Sequence, residues 1–430
     1  MAEAGVVAYE LSSRSRYRFC GGCVMCIVVW SAGVPHRGNL LRSPGTDAVS
    51  SELPSANLSA YRAFALTHGS WEVGLSLEAT VGTLTGEERM LGACRLEPVD
   101  CTPVWFMRQA GRCLAEYREL REKYDILTMT RTPELCTRVT LMPVELMGVD
   151  AAVLYADVML PLYGMGVPFS IDPGIGPIIP NPIRDQAAIR ALRIVEAEEG
   201  TPEIFEAIGM VRKELAGRAA VVGFAGAPYT LASYMIEGRP SKDRGMAKTL
   251  MYSQPDLWAE LMETLTEVTI RYLTAQVNAG AQVLQLFDSW IGDLGPSAYE
   301  EHVLPYNRRI FAAVREATGV PTIHFGTGVG GILEQVASAG SDLVCVDWRV
   351  GLADAWRRIG PDKGIQGNLD STVALAPWEV IEREANRVLD EAGGRPGHVF
   401  NLGHGVLPDT DPGKLARLVE HVHETTAARG

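Results

Sequence analysis

Residues 103–112, PVWFMRQAGR, join an apolar run to two arginines, Arg108 and Arg112, that stand four positions apart. The apolar run is typical of a buried strand, and Gly111 allows the chain to turn tightly directly after it. Two guanidinium groups at a strand end are costly to desolvate unless anions accompany them. Because a guanidinium and a carboxylate match as planar forks, the pair predicts a carboxylate-binding site. The alternative is a structural ion pair with an acid such as Glu116.

The chain after residue 100 alternates short apolar, β-rich runs with amphipathic helical patterns. The candidate strands are residues 104–107, 151–155, 220–224, 282–287, 322–325, 343–346, 364–367 and 398–401. The main candidate helices are residues 133–147, 202–215, 257–279, 298–317 and 377–391. This alternation predicts an α/β protein whose parallel sheet closes into a (β/α)8 TIM-type barrel. An open doubly wound sheet is the alternative.

Polar residues stand at or near the carboxyl ends of these candidate strands. They are Arg108, Asp157, Ser289, His324, Asp347, Asn368 and His404. In a barrel the carboxyl ends of all strands share one face, and barrel enzymes have their active sites there. The barrel therefore predicts that these side chains gather, whereas an open sheet would spread them along an edge. Residues 172–182 are too rich in Pro and Gly for a helix and are a candidate cover for this face.

Six motifs, taken in order, resemble those of one enzyme family. They are PVWFMRQAGR at 103–112, DAAVLYAD at 150–157, GFAGAPYTL at 223–231, LQLFDSW at 284–290, QGNLD at 366–370 and NLGHG at 401–405. Together they are similar to the motifs of the uroporphyrinogen decarboxylases of haem biosynthesis. The resemblance runs from about Gly86 to the carboxyl terminus.

The resemblance implies a substrate and a reaction. Uroporphyrinogen III is a flexible ring of four pyrroles with four acetate and four propionate groups, and each acetate becomes a methyl group as CO2 leaves. The product is coproporphyrinogen III. A pyrrole protonated at a ring carbon accepts the electrons of the breaking bond, so the family needs no cofactor and no metal. The resemblance also implies a homodimer whose active-site clefts face each other.

The resemblance assigns an anionic role to Asp157 and cationic roles to Arg108 and Arg112. In the family the matching aspartate points into the cleft and accepts hydrogen bonds from the pyrrole N–H groups. Its carboxylate would stabilise the developing positive charge. The arginines would hold acetate and propionate groups. Capping of the following helix is the alternative role for Asp157.

Three further residues match family positions that hydrogen-bond the substrate. They are Tyr234, Ser289 and His404. Tyr234 could instead be a core aromatic with a satisfied hydroxyl, and Ser289 could cap the next helix. His404 stands between two glycines and is hard to explain as a core residue.

Two other functions remain open from the sequence. Cobamide-dependent methyltransferases of the same superfamily hold zinc with a His-x-Cys pair and a later Cys. Here His324 is followed by Phe325 and Gly326, so the first cysteine is missing, and Cys345 alone cannot complete such a site. His324 is therefore interpreted as a supporting or structural residue. A non-catalytic barrel that binds a tetrapyrrole is the other alternative, and the joint presence of all six candidate residues argues against it.

The composition bounds the class of protein and its partners. The chain of 430 residues is 47% hydrophobic and 21% charged, which is typical of a soluble globular protein. A net charge of −13 argues against nucleic acid or an acidic membrane as a general partner. Five scattered cysteines, and an amino-terminal group of three without a second cluster, indicate reduced thiols in the cytoplasm. Export or organelle import is the alternative, and two acidic residues among the first ten argue against it.

Residues 1–84 match nothing in the family. They contain no lysine, show no sustained helical or strand periodicity, and carry Ser, Gly and Pro punctuation at 43–45 and 50–55. We expect this extension to be mostly disordered, or to be a leader translated from an upstream start codon that the native protein lacks. The decarboxylase-like barrel is then residues 85–430, and a chain that begins at Thr85 is expected to be active like the full chain.

Overall fold

The computed structural model describes residues 83–172 and 174–427, together with the backbone of three strands nearer the amino terminus. These strands are Val7–Ser12 (β1), Ser15–Phe19 (β2) and Val28–Ser31 (β3), which form an antiparallel sheet in that order. The rest of residues 1–82 lies outside the described part of the chain. The disorder expected for residues 1–84 therefore stays a prediction.

Seven buried strands build the main sheet. They are β4 (Ala151–Val153), β7 (Ala220–Gly226), β8 (Val283–Phe287), β9 (Thr322–Phe325), β10 (Leu343–Cys345), β11 (Gly364–Leu369) and β12 (His398–Leu402). All neighbours are parallel, in the order β12-β11-β10-β9-β8-β7-β4. Every residue of these strands is buried, as expected when helices cover the outer face and side chains fill the interior. Each of the seven corresponds to a candidate strand of the sequence.

Residues 103–107 occupy the eighth position and close the sheet. Val104 forms an isolated parallel bridge with Phe400 of β12, whose backbone N–H donates to the carbonyl of Pro103 over 2.9 Å. On the other side, the N–H of Asp150 donates to the carbonyl of Val104 over 2.8 Å. The segment therefore lies between β12 and β4, which confirms the predicted barrel and excludes the open sheet.

The predicted strand at 104–107 is irregular because side chains take its hydrogen bonds. Asp150 Oδ2 accepts from the N–H of Val104 (2.7 Å), and Gln109 Oε1 accepts from that of Phe106 (2.8 Å). Asn401 Oδ1 accepts from the N–H of Met107 over 3.1 Å. A continuous ladder is thereby replaced by a single bridge.

The helices pack around the sheet and alternate with its strands. They are α1 (Gly86–Cys94), α2 (Ala115–Arg121), α3 (Ile126–Thr130), α4 (Pro133–Met147), α5 (Pro161–Gly164), α6 (Gln186–Arg190), α7 (Ala197–Gly200), α8 (Pro202–Leu215), α9 (Pro228–Glu237), α10 (Gly245–Ser253), α11 (Pro255–Ala279), α12 (Pro296–His302), α13 (Leu304–Thr318), α14 (Leu333–Ala337), α15 (Leu352–Ile359), α16 (Trp378–Ala392) and α17 (Pro412–Thr426). Among the helices that the structure describes, none is both long enough and apolar enough to cross a membrane.

One predicted helix is two helices in the structure. The pattern at 298–317 divides into α12 and α13 at Val303, which has φ −132° and ψ −47°. Pro305 is the cause, because it lacks an N–H for the helical ladder and restricts the residue before it. Pro305 then occupies the first turn of α13, where the missing N–H costs nothing.

The Pro- and Gly-rich residues after Phe169 form a short hairpin rather than a plain loop. Its strands are β5 (Ser170–Asp172) and β6 (Gly176–Ile178). The chain that follows docks on the end of α9, where the N–H of Ile179 donates to Gly238 and that of Ile183 to Met235, both over 2.8 Å. The hairpin is thus anchored beside a helix of the candidate site, and its role as a cover stays a prediction.

Candidate active site

The loop that carries Arg108 and Arg112 has an unusual backbone. Arg108, Gly111 and Arg112 have positive φ angles of 63°, 130° and 34°. L-residues other than glycine adopt this region at a cost of about 1–3 kcal/mol, and such residues cluster at functional sites. The ring of Tyr117 packs against Gly111, 3.3 Å from where a Cβ would lie. A side chain at residue 111 would disturb the geometry of both arginines.

The two arginines form a cationic pair at the carboxyl ends of the strands. Arg108 is exposed and Arg112 is half-buried. Burial, followed by the positive charge of Arg108, lowers the pKa of Arg112 from its usual value. Within residues 83–172 and 174–427, neither guanidinium forms an ion pair with a carboxylate, so the alternative, a structural pair with Glu116, is not formed. The pair is available to anions from solution.

Asp157 lies in the turn after β4. Its Oδ1 accepts from the N–H of Met159 over 2.9 Å. The residue at the amino-terminal cap of α5 is Leu160, so Asp157 does not cap that helix. Burial raises the pKa of Asp157, while the N–H of Met159 and the charge of Arg108 oppose the rise. A desolvated carboxylate close to one cation is what stabilisation of a second, transient cation requires.

Tyr234 lies on α9, which begins two residues after β7. Burial raises the pKa of Tyr234 to about 12; the charge of Asp157 adds to the rise and that of Arg108 opposes it. The phenol therefore keeps its proton and lies in the field of both groups. Its ring meets the ring of Trp290 edge-on, with the centroids 6.1 Å apart.

Ser289 follows β8 and Asp288. Its carbonyl accepts from Thr327 Oγ1 over 2.8 Å, which fixes the backbone at this position. Its hydroxyl forms no hydrogen bond to the residues that the structure describes. The cap position of the next helical turn, Ile291–Asp293, is occupied by Trp290. Helix capping, the alternative role for Ser289, is thus not what the structure shows.

His404 follows β12 and faces the cationic pair. Burial first, then the charges of Arg108 and Arg112, lowers the pKa of His404 to about 4. The imidazole is therefore neutral near pH 7 and offers one donor and one acceptor. A Cβ on Gly405 would lie 2.5 Å from Arg108 Cδ, so the glycine after His404 permits the close approach of that side chain.

Asp347 and Asn368, both predicted for this face, support loops. Asp347 is 2% exposed and accepts from the N–H groups of Gly328 (2.6 Å) and Arg349 (2.9 Å). Asn368 Nδ2 donates to the carbonyls of Asp347 (3.1 Å) and Val350 (2.7 Å). These contacts fix the loop after β10 beside the site.

His324 does not join the other residues on this face. It is fully buried, with Nε2 3.6 Å from Asp288 Oδ2 and its ring against Phe311 of α13. Asp288 in turn accepts from Asn307 Nδ2 over 2.7 Å. Its place at a strand end would group His324 with the other residues of this face, but it lies inside β9 and faces the helices, in agreement with the supporting or structural role predicted for it. Among the described residues, no group of three or more His, Cys, Asp or Glu side chains is placed to hold a metal ion.

Sequence reasoning missed a buried arginine near Tyr234. Arg244 is 7% exposed, forms an ion pair with Asp293, and stacks on Trp290 with its guanidinium carbon 4.6 Å from the ring centre. It thereby supports the ring that packs against Tyr234. Trp290 stands inside the quoted motif LQLFDSW, but no spacing in the sequence connects it with Arg244.

The chain matches known proteins along most of its length. A family model described as uroporphyrinogen decarboxylase (URO-D) matches residues 85–425. A uroporphyrinogen decarboxylase of Sorangium cellulosum is 52% identical over 341 residues, which cover 79% of this chain and 97% of that protein. One of Carboxydothermus hydrogenoformans is 50% identical over 340 residues, which cover 79% and 97%.

Solved structures show the fold alone. A methyltransferase from Methanosarcina mazei has a TM-score of 0.65 at 23% identity, covering 80% of this chain and 99% of that one. This identity is too low to carry an activity. The sequence matches, in contrast, extend over the barrel and every candidate site residue. The chain therefore belongs to the uroporphyrinogen decarboxylase family.

Proposed function

We propose that this protein removes the four acetate carboxyl groups of uroporphyrinogen III and releases coproporphyrinogen III and four CO2. Membership of a family of carboxy-lyases supports the reaction class. The observation that carries the proposal is Asp157, a half-buried carboxylate whose pKa burial raises and Arg108 lowers, on the same face as two arginines without a carboxylate partner among the described residues. This substrate needs an anion beside the ring, which becomes cationic during the reaction, and cations beside the carboxylates around the ring.

Each decarboxylation consumes one proton. Protonation of a pyrrole carbon gives a cationic ring, the bond to the carboxyl carbon breaks, and its electron pair flows into that ring as CO2 leaves. The resulting exocyclic methylene carbon takes up a proton to become methyl, and the ring carbon loses its own. Asp157 lies where its negative charge, with an acceptor oxygen for pyrrole N–H groups, would stabilise the cationic stage.

Arg108 and Arg112 would bind carboxylates rather than donate protons. A guanidinium has a pKa above about 12 and is a poor general acid. As forks with two parallel N–H groups, they would fix the reacting acetate and a neighbouring propionate. The positive φ angles at both residues set the direction of the two side chains.

Tyr234, Ser289 and His404 would complete the site as hydrogen-bonding groups. Tyr234 keeps its proton because its pKa is raised to about 12, so it is a donor at neutral pH. His404 is neutral there because its pKa is lowered to about 4. As donors these neutral groups would orient substrate carboxylates, and as acceptors they would orient N–H groups, without cancelling the charge of Asp157.

A methyltransferase function is less favoured. The structural likeness to a methyltransferase shows only the shared fold. His324, the candidate first ligand of its zinc, is buried against Asp288 and Phe311, and Gly326 stands in place of the first cysteine.

The proposal is tested by product analysis. The full chain is incubated with uroporphyrinogen III without oxygen, the mixture is oxidised, and the porphyrins are separated by carboxyl number. We expect porphyrins with seven to four carboxyl groups, ending at four, and none with heat-denatured protein. If incubation with the folded protein returned only the eight-carboxyl porphyrin, the proposed function would be wrong.

We also propose a cytoplasmic homodimer, as the resemblance implies. Light scattering coupled to size exclusion should give twice the chain mass of 46.6 kDa. A mass equal to one chain at micromolar concentration would contradict the dimer.

A further inference from the structure

Arg349 lies in the loop after β10, which packs against the loop that carries His404. A Cβ on Gly403 would lie 2.7 Å from the backbone nitrogen of Trp348 and 3.1 Å from Cα of Asp347. The two loops are therefore in backbone contact, which only glycine at residue 403 permits. This packing fixes the loop that carries Arg349 against the loop that carries His404.

The guanidinium of Arg349 is held in one direction. Its Nη1 donates to Asp347 Oδ2 over 2.7 Å, and its own backbone N–H donates to Oδ1 of the same carboxylate over 2.9 Å. The group also stacks on the ring of Trp348, with its carbon 4.2 Å from the centroid. Asp347 is itself immobilised by the N–H of Gly328. A side chain ordered in this way loses little entropy when it binds an anion.

The rest of the guanidinium is open. The side chain of Arg349 is 54% exposed. Among the described residues, Asp347 is the acceptor for Nη1, and Nε and Nη2 have none. Since a guanidinium binds a carboxylate through two parallel N–H groups, one such edge is available.

Arg349 also belongs to the cationic cluster electrostatically. After burial, the charges of Arg108 and Arg112 lower the pKa of His404, that of Asp347 raises it, and that of Arg349 lowers it. Three guanidinium groups and one carboxylate, that of Asp347, therefore act on one imidazole, in a chain whose net charge is −13. This excess of positive over negative charge favours a polyanionic ligand.

We propose that Arg349 is a third carboxylate-binding residue of the active site and that it holds a propionate group of the substrate ring. This inference rests on the proposed function, whose substrate has eight carboxylates. The propionates do not react in any of the four steps. A contact with one of them is therefore equally strong in the ground state and in the transition state. Such uniform binding lowers KM and leaves kcat unchanged.

Steady-state kinetics of Arg349→Met with uroporphyrinogen III test the inference. We expect KM to rise about 10-fold, since a hydrogen-bonded charge pair at a partly exposed site is lost, with kcat within about twofold of wild type. Direct titration with coproporphyrin III, which keeps the propionates, should show the same loss of affinity. If Arg349→Met does not fold, Arg349→Gln takes its place, because glutamine keeps an N–H donor for Asp347. The same rise in KM with unchanged kcat is expected for it.

Arg395→Met is the matched control. Arg395 also stacks on a tryptophan, Trp356, at 4.2 Å, but it precedes β12 and so lies at the opposite end of the barrel. The KM of Arg395→Met should equal that of wild type. A wild-type KM in Arg349→Met, or a fall in kcat alone, would overturn the inference while the function stands. A wild-type chain that releases no CO2 would instead overturn both.

Discussion

Asp157 is the residue on which the chemistry depends most. Replacing it by asparagine keeps an oxygen that can accept from the N–H of Met159 and removes only the negative charge. Because that charge acts mainly when the ring becomes cationic, we expect kcat to fall about 100- to 1000-fold and KM to change little. Steady-state kinetics with uroporphyrinogen III measure both. Equal losses in kcat and in affinity would mean that Asp157 only binds the substrate.

The acid limb of the pH profile should depend on Arg108. Its positive charge lowers the pKa of Asp157, which burial raises. Removing that charge in Arg108→Met raises the pKa further, so Asp157 takes up its proton at higher pH. The acid limb of kcat/KM should therefore move to higher pH.

Arg349→Met is the control for this shift. Arg349 acts on the pKa of His404 and is not among the groups that shift that of Asp157. Arg108 also lowers the pKa of His404, and more strongly than Arg349 does, so any displacement of the limb to higher pH in Arg349→Met would assign the limb to His404 instead. An unmoved limb in Arg108→Met would contradict the coupling between Arg108 and Asp157.

Individual residues were predictable where the chemistry is local in sequence. Arg108 and Arg112 stand four positions apart, after an apolar run, and their special backbone follows from that short loop. Arg349 is one of 39 lysines and arginines and had no such signal. Its place beside His404 depends on Gly403, from a different strand end, and becomes visible only in three dimensions.

At the scale of elements, closure of the barrel depends on Asp150. Its carboxylate is 2% exposed and accepts from Arg89 Nη1 (2.5 Å), the N–H of Val104 (2.7 Å) and His423 Nε2 (2.7 Å). In Asp150→Asn the amide NH2 group would face one or more of these donors, while Arg89 would keep only its pair with Asp100. We expect the free energy of unfolding to fall by about 1–3 kcal/mol in denaturant titrations, because buried donors would lose their acceptor.

Arg190→Met provides the comparison for Asp150→Asn. Arg190 pairs with Glu260 over 3.0 Å, but its side chain is 60% exposed. Loss of that exposed pair should cost less than about 1 kcal/mol. Similar costs for the two variants would show that the Asp150 cluster does not stabilise the closure.

Elements were predictable where their boundaries have chemical markers. The helices at 133–147 and 202–215 begin with proline at their first position, and the structure gives the same bounds. The split at Val303 and the hairpin β5–β6 were not foreseen, since the helical periodicity continues past Pro305 and the hairpin strands are only three residues long. The bridge at Val104 was read as a strand because its side-chain acceptors are distant in sequence.

For the whole molecule, His398 should make stability depend on pH. Burial lowers the pKa of His398 to about 4, below the ordinary value near 6.5. The unfolded chain therefore takes up a proton first as the pH falls from 7 towards 4, and stability is lost over that window. The loss attributable to this residue should be about 2 kcal/mol at pH 5.

Denaturant titrations of wild type and His398→Gln at pH 7 and pH 5 measure this term. Glutamine keeps a donor for the carbonyl of Gly367, which His398 Nε2 contacts over 3.0 Å, and does not titrate. The variant should lose less stability between the two pH values than wild type. Parallel losses would place the pH dependence elsewhere.

The architecture as a whole was predictable because its signal is repeated. Eight apolar runs alternating with helices determine a closed parallel sheet, and closure alone brings Arg108, Asp157, Ser289 and His404 to one face. Which side chains point into the site was less predictable. His324 stands at a strand end like the others and faces the helices instead, because side-chain direction within a short strand depends on register.

The central claim is that Asp157 and the substrate's own pyrrole carry the decarboxylation without a bound metal or cofactor. The most direct measurement is the rate of conversion of uroporphyrinogen III to coproporphyrinogen III after exhaustive chelation and dialysis of the full chain. An unchanged rate, with the four-carboxyl porphyrin as the end product, is the predicted result. A rate that is lost on chelation and restored by zinc would contradict it.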